Sequence, residues 1–197
     1  SSAIPSGAAD YYEYKIPYSC RFNGSSSTMT KTMSSNTNRK IWTFSYWFKR
    51  SEIAQNVPLM ASSGSGGYTR IDTDGGSIWL LQYNGSGWDF MLQSKAVFRD
   101  PSAWYHFVVA YDSAQAVEAN RVKMYVNGTQ ITDFHTGGSY GYPAQDLETG
   151  INNNIQHNIG VTTAYGTYYL DGYLAEVHFI DGTALTPTSF GESGDYG

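Results

Sequence analysis

Residues 103–131 read AWYHFVVAYDSAQAVEANRVKMYVNGTQI. From Trp104 to Tyr111 the run is aromatic and β-branched without a helix former, which predicts a strand. Tyr105, Phe107, Val109 and Tyr111 fall on one face, and Trp104, His106, Val108 and Ala110 on the other. A strand apolar on both faces belongs in the interior of a sheet that is covered on both sides. After a polar loop, Asp112 to Asn120, a second strand over Val122 to Val126 turns Val122, Met124 and Val126 inward and Lys123 outward. Asn127-Gly128 then closes a hairpin, because a type I′ turn needs positive φ at both central residues.

Working outward, Ile41 to Arg50 (IWTFSYWFKR) repeats the pattern, with Trp42, Phe44, Tyr46 and Phe48 on one face. Val57 to Ser62, Tyr68 to Thr73, Ser77 to Gln82 and Trp88 to Ser94 are further strands, separated by Gly-, Ser- and Asp-rich turns at the spacing of an antiparallel meander. Ser19 to Asn23 and Thr28 to Thr32 flank Asn23-Gly24 and are expected to form another hairpin. Ile155 to Val161 is a strand, and Tyr168 to Ile180 is the last long one. Plain alternation there puts Tyr173, Ala175, Val177 and Phe179 on one side and Leu174, Glu176, His178 and Ile180 on the other. Thr136 to Asn154 is a long irregular loop, the kind that in a compact domain is functional or disordered. No helix longer than a turn is indicated. The reading is an all-β antiparallel sandwich over residues 19–191, with an N-terminal arm over 1–18 carrying Tyr11, Tyr12 and Tyr14, and a short tail over 192–197.

A chain of 197 residues suits one such domain. Hydrophobic residues make up 41 %, with 17 Tyr, 9 Phe and 5 Trp, enough for a sizeable core. Charged residues make up only 15 %, below the roughly 25 % of an average soluble domain. The surface is therefore hydroxyl- and amide-rich. A net charge of −5 argues against nucleic acid as a partner, because neutralising phosphates takes a basic stripe. No apolar run is long enough for a membrane helix, and no membrane insertion is expected. Cys20, the single cysteine, excludes an internal disulfide; a sandwich built without one suits assembly inside a cell.

Four segments in order, WTFSYWFKRS, AVFRDPSAWYHFVVAYD, NRVKMYVNGTQI and YLDGYLAEVHFIDGTALTP, resemble the laminin-G-like, concanavalin A-like lectin/glucanase superfamily. More narrowly, they are similar to its versions in bacteriophage virion proteins such as tail fibres and surface appendages. The resemblance covers roughly residues 21–191. It implies a jelly roll and, for the phage versions, a virion surface location after assembly in the host cytoplasm, contacts with other virion proteins and a homo-oligomer. It leaves function open among lectins, glycosidases and structural modules.

The glucanases of that superfamily carry Glu-x-Asp-x-(x)-Glu on one strand, and a retaining pair of carboxylates stands about 5 to 5.5 Å apart. The nearest match here is Glu176 to Asp181. Five residues apart on a regular strand, these two face opposite ways, and His178 stands where the assisting Asp would be. No catalytic residue is assigned, and the chain is read as non-enzymatic. His106, His135, His157 and His178 lack a zinc spacing. Asp72 and Asp74 resemble the start of a calcium loop but lack its remaining acidic ligands, and Asp112 and Asp171 are no better supported, so no metal and no cofactor are assigned.

Sugar recognition needs an aromatic platform with amides or carboxylates beside it. Tyr140 and Tyr142 with Asn153 in the long loop, Tyr165 and Tyr168 around a glycine turn, and Trp88 after Asn84-Gly85-Ser86-Gly87 are the candidates. Burial or subunit contacts would explain the same tyrosines. The expectation is a carbohydrate-binding module for cell-surface glycan, used in host attachment; the alternative is a structural role in capsid decoration or a fibre.

Overall fold

The computed structural model describes residues 16–53, 57–64, 67–163 and 167–191. Most of the expected arm, all of the expected tail and Tyr165 lie outside these residues. Strands are β1 (Cys20–Asn23), β2 (Met29–Thr32), β3 (Ile41–Arg50), β4 (Val57–Gly64), β5 (Gly67–Asp74), β6 (Ser77–Tyr83), β7 (Trp88–Gln93), β8 (Tyr105–Asp112), β9 (Val122–Val126), β10 (Thr129–Ile131), β11 (Gln156–Ile159), β12 (Val161–Thr162), β13 (Tyr168–Tyr169) and β14 (Asp171–Asp181). They build two six-stranded antiparallel sheets, β1-β14-β3-β8-β9-β10 and β2-β11-β4-β5-β6-β7, and a small β12–β13 ribbon. This is the jelly-roll sandwich that the alternation of the sequence requires. Among the described residues the only helical turns are three residues long.

The core lies between the two sheets. Trp42, Phe44, Tyr46 and Phe48 of β3 and Phe107, Val109 and Tyr111 of β8 point into it from the first sheet. Met60, Ile71, Leu80 and Leu92, in one register line across β4–β7, meet them from the second. Trp42 stacks on Tyr111 at 5.1 Å, and its indole N–H donates to Thr149 Oγ1 at 3.0 Å. The β9–β10 hairpin turns as its sequence dictates, with Asn127 at φ 48 and Gly128 at φ 78.

The other face of β8 is as dry as its composition demanded. Val108 is fully buried, because the chain after β14 crosses the outside of the first sheet. Thr43 Oγ1 donates to the Thr183 carbonyl (2.7 Å) and accepts from the Leu185 N–H (2.8 Å). Phe190 stacks on His178 and stands edge-on to His106. Ser45 Oγ and His106 Nε2, 2.9 Å apart, satisfy each other beneath this strap.

Three expectations change. β1 and β2 are not a hairpin: β1 joins the first sheet beside β14, and β2 joins the second beside β11. The Asn23-Gly24 turn instead passes the chain between layers, held by Asn23 Oδ1, which accepts from the N–H groups of Ser25, Ser26 and Ser27. The 155–161 strand is broken at Gly160. Finally, β14 carries a bulge: Ala175 opposes Trp47 and His178 opposes Ser45, so Glu176 and Val177 together face Tyr46, with Glu176 at φ 45. Beyond it the faces exchange. His178 and Ile180 join Tyr173 and Ala175 outside, while Phe179 joins Leu174 on the core side.

Gly160 has φ +82, and a Cβ there would overlap the ring of Phe22, itself buried. Its carbonyl accepts from the Leu170 N–H at 2.8 Å, which ties the β12–β13 ribbon to the second sheet. Left-handed strain and overpacking together are expected to make Gly160→Ala about 3 kcal/mol less stable. Chemical denaturation checks this; a loss under about 1 kcal/mol would mean that Phe22 has room to move.

Candidate functional site

One register line crosses the outer face of the second sheet from Ser63 through Tyr68 and Tyr83 to Trp88. Strict alternation would point Trp88 inward with Phe90 and Leu92. A register shift between β6 and β7 inserts Asp89 and turns Trp88 outward. The inserted carboxylate is held in place: Oδ2 accepts from Gln82 Nε2 at 2.8 Å and Oδ1 from Asn84 Nδ2 at 2.6 Å. Asn84 in turn pins its own turn, its Oδ1 accepting from the N–H groups of Ser86 and Gly87.

The result is an aromatic cluster. Tyr68 and Tyr83 stack at 5.5 Å, and Trp88 meets both edge-on, at 6.1 Å and 5.3 Å. Trp88 remains 39 % exposed. Beside the cluster opens a cleft of about 400 Å³ lined by Ser63, Gly64, Gly67, Tyr68, Tyr83, Gly85 and Thr163. Its width depends on Gly67, where a Cβ would stand 2.8 Å from the Tyr83 carbonyl. Among the described residues, nothing hydrogen-bonds the side chains of Ser63, Tyr83 and Thr163, so these hydroxyls are available to a ligand.

Behind the ring of Tyr68 lies Arg70, its guanidinium 5.1 Å from the ring centroid and 3.2 Å from Asp72 in a pair that is almost wholly buried. Burial raises the Asp72 carboxyl to about 7 despite the opposing pull of Arg70.

The sequence-based candidates divide. Trp88 belongs to the cluster. Tyr168 sits half-buried on β13 opposite Thr162, one residue from the cleft wall. Tyr140 packs 6.0 Å from Trp79 and 5.9 Å from His135. Trp79 lies four residues back along β6 from Tyr83, about 13 Å away at 3.3 Å per residue. Tyr142 leans on Phe134 at the margin of the core. Asn153 holds a local turn, donating from its N–H to Gly150 and accepting at Oδ1 from Asn154. The long loop is thus largely a seal for one end of the sandwich: Gly150 N–H donates to Thr69 Oγ1 at 2.7 Å, and Asn152 Nδ2 donates to Asp181 Oδ1 at 2.8 Å. Sequence reasoning missed Tyr68, Tyr83, Ser63 and Thr163. The available signal was that Tyr68 and Tyr83 both stand at glycine-flanked strand ends on the outward parity of a hairpin.

The carboxylates considered for catalysis or metal do not converge. Glu176 Oε2 lies 3.3 Å from His178 Nε2, while Asp181 Oδ1 accepts from the Asn38 N–H and from Asn152. Asp72 is paired with Arg70, Asp171 with Arg21 at 2.7 Å, and Asp112 accepts from the Ala114 N–H and Gln115. Among the described residues no group of three His, Cys, Asp or Glu side chains is placed to hold a metal ion.

Residues 23–189 match the Laminin_G_3 family profile, described as the concanavalin A-like lectin/glucanases superfamily. No curated sequence matches the chain. Among solved structures it is similar to the CBM40 of a Ruminococcus gnavus IT-sialidase bound to α2,3-sialyllactose, with a TM-score of 0.57, 14 % identity and coverage of 87 % of this chain and 93 % of that one. It is similar to the native heptameric SAP-like pentraxin of Limulus polyphemus at TM-score 0.54 and 16 % identity, covering 86 % and 78 %. Domains LG4-5 of the mouse laminin α1 chain match at 0.55 and 13 %, covering 89 % of this chain and 43 % of that one. At these identities the likeness is one of fold.

Proposed function

Because the chain belongs to the concanavalin A-like lectin/glucanases superfamily, we propose that it is a non-catalytic carbohydrate-binding module whose ligand lies in the cleft beside Tyr68, Tyr83 and Trp88. The observation that carries this reading is the outward-turned, 39 % exposed indole of Trp88 packed beside two tyrosines at a cleft with free hydroxyls. An aromatic face complements the apolar face of a pyranose, and hydroxyl groups complement its rim. The sialyllactose-bound neighbour offers fold-level support only. The resemblance of four segments to phage virion proteins extends the proposal to a virion surface and attachment to host glycan, where many copies would multiply a weak single-site affinity. No cofactor enters the proposal.

The test is a glycan array probed with the multivalent chain, followed by titration of the best glycan. An aromatic hot spot contributes about 2 kcal/mol or more, so Trp88→Ala is expected to weaken binding by about 30-fold or more while leaving the melting temperature nearly unchanged. Binding that survives Trp88→Ala would remove the cleft from the site.

A second reading has its own support. All four residues of β2, an edge strand, are exposed, Met29 at 48 %, and Tyr18 beside β1 is 86 % exposed. An open edge is suited to pairing with another protein, as a structural virion component would do. Silence across the array together with self-association lost on placing proline at Thr30 would favour it.

A further inference from the structure

The sequence segments from which the cleft's lining residues are drawn carry no charge. Between Ser62 and Thr69, between Tyr83 and Trp88, and between Asn158 and Leu170, the sequence has no Asp, Glu, Lys, Arg or His. These three stretches supply every residue that lines the cleft. Among the described residues, Arg70 lies behind the Tyr68 ring, 3.2 Å from Asp72 and only 4 % exposed at its side chain. Asp89, the carboxylate that follows Trp88, has both oxygens engaged by Gln82 and Asn84. The chain as a whole is at −5, a field that disfavours anions.

Binding the carboxylate of an acidic sugar in a partly dehydrated cleft requires a cation or several convergent N–H donors to replace its water. A neutral sugar requires only hydroxyl partners and an aromatic face, which are what Ser63, Thr163, Tyr68, Tyr83 and Trp88 supply. We infer that the cleft selects neutral glycans and discriminates against sialylated, sulfated or uronic-acid-bearing ones. This rests on the reading of the cleft as a glycan site, and it separates the chain from its sialyllactose-bound structural neighbour.

The experiment uses the full chain and its Trp88→Ala variant against matched glycan pairs that differ only in a terminal sialic acid or sulfate, at about 50 mM and about 500 mM NaCl, where screening differs strongly. The expected result is that the neutral member binds, the acidic member binds at least tenfold more weakly, and the neutral affinity changes less than about twofold with salt. Tighter, salt-sensitive binding of the acidic member that depends on Trp88 would overturn the inference and leave the glycan site intact. Absence of Trp88-dependent binding to either member of every pair would overturn both the inference and the site.

Discussion

Trp42→Ala is expected to lower the unfolding free energy by about 4 kcal/mol, within the range for removing a large aromatic from a packed core. Trp42 has no exposed surface. It stacks on Tyr111 at 5.1 Å, approaches Phe179 at 6.3 Å, and helps tie the first sheet to the loop that seals the sandwich end through Thr149. Alanine would leave a cavity and also strip Thr149 Oγ1 of a buried donor. For a domain of this size about 4 kcal/mol corresponds to a fall in melting temperature of about 8–16 °C. Thermal and denaturant unfolding measure it, with Trp88→Ala as the matched tryptophan deletion that should change stability little. Equal losses for the two variants would contradict the division between core and cleft described above.

The second large effect is a pH dependence. Burial raises Asp72 from 3.8 to about 7, so between these values the folded chain binds a proton that the unfolded chain releases. Its contribution is fully present below pH 3.8 and is lost as pH rises through about 7. A shift of about three units is worth about 4 kcal/mol as an upper order of magnitude. His106 and His157 act in the opposite sense. Burial lowers both, so their contribution is present above the unfolded value of 6.5 and is lost as pH falls through their lower folded values. Comparing wild type with Asp72→Asn cancels the histidines. The variant's stability relative to wild type should rise by up to about 4 kcal/mol between about pH 4 and about pH 8, read from denaturant titrations at each pH. A difference that is flat or that falls would show that Asp72 is ionised throughout, held by Arg70.

Alternation carried the fold because most strands are regular. Ile41 to Arg50 and Tyr105 to Asp112 have the inward faces that counting by twos assigns, and the meander from β4 to β7 follows the glycine-rich turns. Alternation failed at single inserted residues. Glu176 exchanges the faces of β14 and Asp89 turns Trp88 outward, and neither insertion has a composition that announces it. The cleft was only partly legible for the same reason. Trp88 is a candidate by its place after the Asn84–Gly87 turn, whereas Tyr68 and Tyr83 come together beside it only through cross-strand register, which is a property of two strands together. In the long loop, Asn152, next to the candidate Asn153, is buried and hydrogen-bonded where the loop closes the sandwich.

The bulge in β14 also means that this strand holds one residue more than its partner can match. Excising Glu176 would leave Ala175 opposite Trp47 and His178 opposite Ser45, with Val177 taking the vacant place across from Tyr46. The shortened strand would be regular, and every flanking side chain would keep its side. A one-residue excision within the regular half before the bulge or after it would instead send the residues on one side of the cut to the wrong layer. The longest strand of the fold thus contains one position where the length of the protein is negotiable.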